Sequence, residues 1–231
     1  MLSYAFSEDG IAGVIAKYPK LQQASQDVLE GVLDMYAEYD GNTIHDSFQV
    51  RITATNPHSL HIPALREIGG RTEAIAKKHG ITDLRSLHRN FDGTACVCVK
   101  QVEQQKFPPR SPLLVFVEEL AVPYLYGLSH YEQHRKWPWP DYSHGALGLL
   151  EFYTENTRGQ TKEDIAEVLA TIRRENNWKE YHKQIRKPSS KRACLCGSGK
   201  PFGRCHSKAW HGVAYLRTEF ERLEWNTNNL F

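Results

Sequence analysis

The chain has 231 residues, of which 40% are hydrophobic and 24% are charged, and its formal net charge is +2. These proportions are typical of a globular protein and exclude a disordered chain, and so small a net charge does not indicate nucleic-acid binding. The first residues lack the basic and apolar regions of a signal peptide, and no stretch approaches the roughly 18 apolar residues of a membrane span. We therefore expect a cytoplasmic protein with reduced thiols and with neither a membrane partner nor a direct nucleic-acid partner.

The first predicted elements are a helix and a strand. Apolar side chains recur at helical spacing within residues 24–41, which predicts a helix that ends at Gly41; they are Val28, Leu29, Val32, Leu33 and Tyr36. Residues 48–55 alternate and predict a half-buried strand, with Phe48, Val50 and Ile52 on its apolar face. Residues 95–99 also alternate, so an extended backbone would place Cys96, Cys98 and Lys100 on one face.

The remaining residues predict helices joined by turns. Ser111 and Pro112 are typical of a helix start, as N-cap and first helical residue, and an apolar stripe follows at Leu113, Leu114, Phe116, Val117 and Leu120. Thr161 and Asp164 have the spacing of a capping box and predict another helix through residue 172. The basic, turn-rich residues 186–192 are the best candidate for a linker, and residues 220–225 belong to a possible closing helix. This order, a strand meander between helices, predicts the α+β class.

Four ligand-type residues lie within positions 194–206: Cys194, Cys196, Cys205 and His206. Thiolates and imidazole are the ligands that zinc prefers in a tetrahedral site, and in a reduced compartment grouped cysteines are more often metal ligands than disulfides. The alternative is a set of small residues and a surface histidine without a common function. The run C-x-C-G-S-G-K, followed by an aromatic residue and C-H, resembles the SEC-C motif, the zinc-binding tail of the bacterial translocation ATPase and of unrelated bacterial proteins. The resemblance implies that these four residues bind Zn²⁺, and it is uninformative about a reaction.

Cys96 and Cys98 form the other group. A thiolate nucleophile needs exposure and a polar neighbourhood, and the Asp92–Gly93 pair predicts a tight turn that presents the following residues. Asn90 offers an amide that can stabilise an oxyanion, and His88 can position the loop. The alternatives are two small buried residues in a strand, a thiol redox pair, or a second metal site that uses His88 and lacks an obvious fourth ligand.

The run from His88 to Cys96 matches H-x-N-x-D-G-x-x-C, a pattern that resembles bacterial ubiquitin-conjugating-like enzymes of CBASS antiphage operons. The resemblance covers roughly residues 20–155. It implies a ubiquitin-conjugating-enzyme-like fold over residues 1–187, an antiparallel strand meander flanked by helices, with a zinc-binding segment and closing helix over residues 188–231. It also implies that Cys96 is the nucleophile, that Asn90 stabilises the oxyanion or holds the loop, and that His88 is mainly architectural.

The activity implied by this resemblance is acyl transfer, in which Cys96 forms a thioester with the C-terminal glycine of a protein partner. The implied partner is the cyclic-oligonucleotide synthase (CD-NTase) of the same operon, whose modification would regulate antiphage signalling. The sequence has no Gly-rich phosphate loop, so the expected source of an activated acyl group is a separate adenylating enzyme or the partner itself. The alternative is a non-catalytic zinc-containing adaptor that binds the synthase or another protein.

Overall fold

A computed structural model describes residues 4–99, 102–140, 142–155 and 161–225 of the chain. The chain divides into two compact units, Met1–Pro140 and Asp141–Phe231. The domain boundary predicted from the sequence lies between residues 187 and 188, and it stays a prediction. Three helices that precede this boundary belong to the same compact unit as the cysteine-rich segment. Among the described residues, no helix has both the length and the hydropathy that crossing a bilayer requires.

The first unit combines a four-stranded antiparallel sheet with helices, which confirms the predicted α+β class. The strands follow each other in the sheet in chain order, as β1 (Leu21–Ser25), β2 (Val28–Tyr39), β3 (Asn42–Thr53) and β4 (Ala64–Glu67). The helices are α1 (Glu8–Lys17), α2 (Arg71–His79), α3 (Glu103–Lys106), α4 (Leu113–Phe116) and α5 (Val122–His134), with a 3-10 turn at Leu84–Leu87 and a π-helical turn at Val117–Ala121. One apolar core fills the space between sheet and helices.

The helix predicted for residues 24–41 is wrong, because this segment forms β2. Leu29, Leu33 and Met35 are buried at alternate positions, and β2 pairs with β3 along its whole length. Gly41 does not end a helix but forms the β2–β3 turn with Asp40, and both residues have the positive φ that two-residue hairpin turns favour. The predicted strand at residues 48–55 is confirmed as the second half of β3, although it ends at Thr53.

The helix expected after Ser111 begins at Leu113, one residue later than predicted. Pro112 occupies the N-cap position, and no side chain caps the helix start, so the predicted N-cap role of Ser111 is wrong. The predicted apolar stripe is buried except at Leu114, which is half-buried. Pro123 lies in the first turn of α5 and has no amide to donate, which accounts for the π-helical turn that precedes it.

The second unit is helical in its described residues. Its helices are α6 (Gly145–Glu155), α7 (Lys162–Arg174), α8 (Trp178–Arg186), α9 (Phe202–Cys205) and α10 (Ser207–Arg222). The predicted capping box is confirmed, because the Thr161 hydroxyl accepts from the Asp164 amide and the Asp164 carboxylate accepts from the Thr161 amide. The closing helix is also present as α10, but it begins earlier than predicted, directly after His206.

Residues 186–192, predicted as a linker, are a packed turn. The side-chain amide of Gln184 exchanges two hydrogen bonds with the backbone of Ser189, at 2.9 and 3.2 Å. The Arg192 guanidinium donates to the carbonyl oxygens of Lys183 and Lys187, at 3.0 and 2.7 Å. This turn therefore fixes the cysteine-rich segment against the end of α8.

Candidate functional sites

The sequence motif from His88 to Cys96 forms a short hairpin, which we call the 88–96 hairpin. The Cys96 amide donates to the His88 carbonyl at 2.7 Å, and the Asn90 amide donates to the Thr94 carbonyl at 2.8 Å. Gly93, with a φ of 84°, closes the turn as predicted, because few residues other than glycine adopt this conformation easily. The alternation at residues 95–99 does not correspond to an extended strand, because of these residues only Ala95 forms a β-bridge; Lys100 lies outside the described residues.

A network of side chains holds the tip of this hairpin. One carboxylate oxygen of Asp92 accepts from the amide and from the hydroxyl of Thr94, at 3.0 and 2.7 Å. The Asn90 side-chain amide donates to the same hydroxyl at 3.0 Å. The other Asp92 oxygen lies 3.3 Å from the His58 ring. Burial alone would raise the pKa of Asp92, but the bonds from Thr94 and His58 outweigh it and lower that pKa.

The two thiols at the end of the hairpin have different environments. Cys96 is exposed, whereas Cys98 is half-buried and packs against the core of the first unit. Burial, followed by the nearby Glu103 carboxylate, raises the pKa of the Cys98 thiol to about 12. Cys98 is therefore a neutral thiol near pH 7 and a poor nucleophile, and the two side chains do not share a face as an extended strand would require. The catalytic role of Cys96 stays a prediction.

His88 begins the hairpin in a left-handed conformation with a φ of 52°. Its ring meets the Trp137 indole edge-to-face, with centroids 4.6 Å apart, and the Trp137 N–H donates to the Ser86 carbonyl at 3.2 Å. Gly127 allows this approach, because a Cβ at that position would lie 1.9 Å from the indole ring. These contacts fit the architectural role predicted for His88 and give Trp137 a packing role.

An open cleft of about 340 Å³ borders the hairpin on the side of Asn90. Its lining consists of residues 82–85 and 89–91. Phe91 is 90% exposed at its rim, and the Arg85 guanidinium lies 5.1 Å from the centre of the Phe91 ring. Arg89 is ion-paired with Glu73. No sequence motif predicts this cleft, because residues 82–85 of its wall belong to none.

The structure brings the four predicted metal ligands of the second unit together. The ligand atoms of Cys194, Cys196, Cys205 and His206 all lie within 4.8 Å of one another. The Cys196 and Cys205 sulfurs are 3.7 Å apart, and the Cys194 sulfur is 3.1 Å from Nδ1 of His206. Zinc–sulfur bonds of about 2.3 Å in a tetrahedron require sulfurs about 3.8 Å apart. The cluster could therefore hold a metal ion, and its donor set and spacing are compatible with zinc.

Backbone hydrogen bonds and one buried ring hold the two ligand pairs of this cluster, Cys194 with Cys196 and Cys205 with His206. The Cys194 amide donates to the Lys200 carbonyl at 2.8 Å, and Gly197 and Gly199 adopt φ values of 80° and 71° in the turn between them. Phe202 is fully buried, three residues before Cys205 of the second ligand pair. The motif glycines and the motif aromatic residue therefore shape the loop that carries the ligands.

The cluster thiols differ in acidity. Burial raises the pKa of Cys194 to about 12; a bond from the Cys196 backbone opposes this rise, and the side chains of Cys196 and Cys205 reinforce it. Burial opposes ionisation of Cys196 too, but hydrogen bonds from the hydroxyl and amide of Ser198 outweigh it and lower that pKa to about 7. A bound cation would favour the thiolate form of all the cysteine ligands.

Comparison of the chain with protein-family models, with curated proteins and with solved structures found no match in any of the three. A functional assignment therefore depends on the two motifs and on the geometry of the residues that they contain.

Proposed function

We propose that the chain is a transferase of the ubiquitin-conjugating type, with Cys96 as the residue that forms the thioester. The observation that carries this proposal is the placement of an exposed Cys96 directly across a hairpin from His88, while Cys98 is packed inward. An exposed thiol on a polar turn is accessible to a protein substrate, and a buried neutral thiol is not.

The order of elements also supports the proposal. Helix α1 leads into a four-stranded antiparallel meander, α2 and the turn with His88 and Asn90 follow, and Cys96 precedes α3, α4 and α5. Apart from α2, this is the order implied by the resemblance to ubiquitin-conjugating enzymes, and we propose that fold for the first unit.

In the proposed reaction, the Cys96 thiolate attacks the carbonyl carbon of an activated C-terminal glycine. The new C–S bond forms as the bond to the activating group, an adenylate or a carrier thiol, breaks. A lysine amine of the target then attacks the thioester, the C–N bond forms, and the sulfur leaves as thiolate while the amine proton passes to solvent. Asn90 would stabilise the oxyanion or hold the hairpin, and its bond to Thr94 supports at least the second role.

We further propose that Cys194, Cys196, Cys205 and His206 hold Zn²⁺ in a structural site. Four protein ligands fill a tetrahedral coordination shell and leave no position open for substrate or water. Bound zinc would supply a cross-link within the second unit. All four ligands lie in the segment between the end of α8 and the start of α10, so the ion would stabilise that part of the helical unit.

The proposed acyl donor is a protein with a C-terminal glycine, and by resemblance it is a CD-NTase-type synthase in a reducing, cytoplasmic setting. The test is intact-mass analysis of the purified chain incubated with that synthase, the adenylating enzyme of the operon and ATP. We expect a thiol-labile adduct on the wild type and on Cys98→Ser. In Cys96→Ser the adduct should be absent, or present as a thiol-resistant ester that hydroxylamine cleaves.

The matched cysteine variants make the outcomes distinct. An adduct that survives in Cys96→Ser as a thiol-labile species and disappears in Cys98→Ser would contradict the assigned nucleophile. Binding of the synthase without an adduct in any sample would contradict transfer and would favour the zinc-containing adaptor instead.

A further inference from the structure

Positive charge is concentrated in one segment of the second unit. Residues 183–208, which we call the basic segment, contain eight of the 29 lysines and arginines and none of the 27 aspartates and glutamates. The eight are Lys183, Arg186, Lys187, Lys191, Arg192, Lys200, Arg204 and Lys208. With a total of +2, the rest of the chain carries 2 − 8 = −6. The small net charge of the chain therefore conceals a strongly basic region around the metal ligands.

Three of the eight cations have identified partners within the unit. Lys183 pairs with Glu180, Lys208 pairs with Glu155, and Arg192 donates to carbonyl oxygens at the end of α8. The other five are exposed, and within the described parts of the chain no carboxylate lies in ion-pair distance of them; they are Arg186, Lys187, Lys191, Lys200 and Arg204. A divalent ion held by three thiolates would add only one negative charge, which leaves the segment at 8 − 1 = +7.

The basic segment has a fixed backbone. The Arg192 and Gln184 bonds hold the turn after α8, the Phe202 amide donates to the Arg192 carbonyl at 2.8 Å, and the Gly203 amide donates to the Ser190 carbonyl at 2.9 Å. The five unpaired cations therefore project from a backbone that is fixed before binding. A surface of this kind loses less conformational entropy on binding than a disordered basic tail does.

The exposed side chains of the basic segment indicate whether its negatively charged partner is a protein or a nucleic acid. Protein interfaces gain most of their affinity from exposed aromatic and apolar anchors. Among the described residues, the large apolar side chains that are exposed all belong to the first unit: Tyr36, Tyr39, Leu60 and Phe91. The basic segment instead exposes cations together with the hydroxyls of Ser190, Ser198 and Ser207, which are the side-chain types that contact nucleic-acid phosphates.

We propose that the basic segment binds the phosphodiester backbone of a nucleic acid without reading its sequence. This inference does not depend on the reaction proposed for Cys96. If all five unpaired cations contact phosphates, the slope of log K against log salt is about −4.5 for a duplex and about −3.5 for a single strand. Between 50 and 200 mM salt the affinity then falls by about 100-fold to 500-fold.

The test measures binding of the full-length, metal-loaded chain to fluorescent 20-nucleotide single-stranded RNA and 20-base-pair duplex DNA of mixed sequence, by anisotropy over that range of salt. The variant is the triple change Lys187→Gln, Lys191→Gln and Lys200→Gln. The control variant is the triple change Lys77→Gln, Lys136→Gln and Lys162→Gln. These three lysines are exposed, lie outside the basic segment and form no ion pair within the described residues. Both variants change the net charge equally, and thermal unfolding checks that both are folded.

We expect the basic-segment variant to lose at least tenfold in affinity at 100 mM salt, and its salt slope to become shallower by about 2 to 3. The control should change affinity less than threefold, and Cys96→Ser should bind as the wild type does. Equal losses in the two triple variants, or no binding of either probe by the wild type at 50 mM salt, would overturn the proposal. A 20-residue polyglutamate that binds as tightly as the nucleic acids would also overturn it and would favour an acidic protein surface.

Discussion

Replacing Asp92 by alanine tests how the 88–96 hairpin is held. The Asp92 carboxylate accepts two hydrogen bonds from Thr94, which is only 1% exposed. The alanine variant removes both hydrogen bonds at once. The buried amide and the buried hydroxyl of Thr94 then lose the carboxylate that accepts from them. The His58 and Arg66 pairs with Asp92 are partly exposed, at 3.3 and 3.8 Å, and we expect them to contribute less than the two bonds from Thr94.

The expected cost follows from these two bonds. Hydrogen bonds to a charged group contribute about 1.5–3 kcal/mol each, and the Asp92 side chain is one-third exposed, so water weakens both. We therefore expect Asp92→Ala to lower the free energy of unfolding by about 2–3 kcal/mol. In a chain of this length such a loss lowers Tm by about 5–10 °C. A local opening that becomes about 2 kcal/mol easier accelerates amide exchange by about 30-fold.

The assay is thermal unfolding together with hydrogen exchange of the hairpin amides. Asp83→Ala is the matched control. Like Asp92, Asp83 accepts a hydrogen bond from the amide two residues later, at 3.0 Å, but the donor is the exposed Arg85 instead of a buried residue. We expect the control to cost about 1 kcal/mol or less, the usual loss for an exposed cap. If the two variants lose equal stability, or if hairpin exchange in Asp92→Ala matches the wild type, the buried network does not hold the hairpin.

Three other predictions concern the metal, acid stability and helix packing. A chelator should accelerate amide exchange in residues 193–206 and leave the sheet unchanged, and unchanged exchange in that range would contradict a structural ion. Burial opposes ionisation of Asp46, but bonds that include those from Arg71 lower its pKa below the usual 3.8. The ionised Asp46 carboxylate therefore contributes its full stabilisation above pH 3.8. This stabilisation is lost as the pH falls through the lower pKa that Asp46 has in the folded state. The Tm difference between wild type and Asp46→Asn should shrink in that window, and a constant difference from pH 2 to 6 would refute this. Gly212→Ala should destabilise by about 1–3 kcal/mol, because its Cβ would lie 2.0 Å from a carbonyl oxygen of α6. Gly13→Ala, with open space around it in α1, should be neutral or stabilising by up to about 1 kcal/mol; equal Tm values for the two alanine variants would contradict the packing argument.

The features predicted correctly from the sequence are those that depend on neighbours close in the chain. The Thr161–Asp164 capping box is a contact across three residues, and the structure contains both of its bonds. The four ligands at 194–206 are likewise close in sequence, and Gly197 and Gly199 between them adopt the positive φ values that a tight loop requires. The turn at Gly93 follows for the same reason.

The wrong predictions depend on partners distant in the chain. Leu29 and Leu33 are four residues apart, a spacing that both a helix and a strand place on one face, and only pairing with β3 decides between them. Cys96 and Cys98 show the same limit, because the packing of Cys98 against the core decides which thiol is exposed. The turn at 186–192 is the exception, because its composition is linker-like and yet bonds from Gln184 and Arg192, which are close in the chain, hold it in place.

The 88–96 hairpin also affects solubility, through its contact with β4. The Ala95 amide donates to the Leu65 carbonyl at 2.8 Å. Leu65 belongs to β4, an edge strand that pairs with β3 and whose residues are mostly buried. An uncovered edge strand of this kind is a template for intermolecular β-pairing and aggregation. The opposite edge strand, β1, is short, mostly exposed and irregular in register, so it needs no cover. Variants that loosen the hairpin should therefore self-associate as well as unfold more easily, and the loop that presents Cys96 would at the same time protect the sheet.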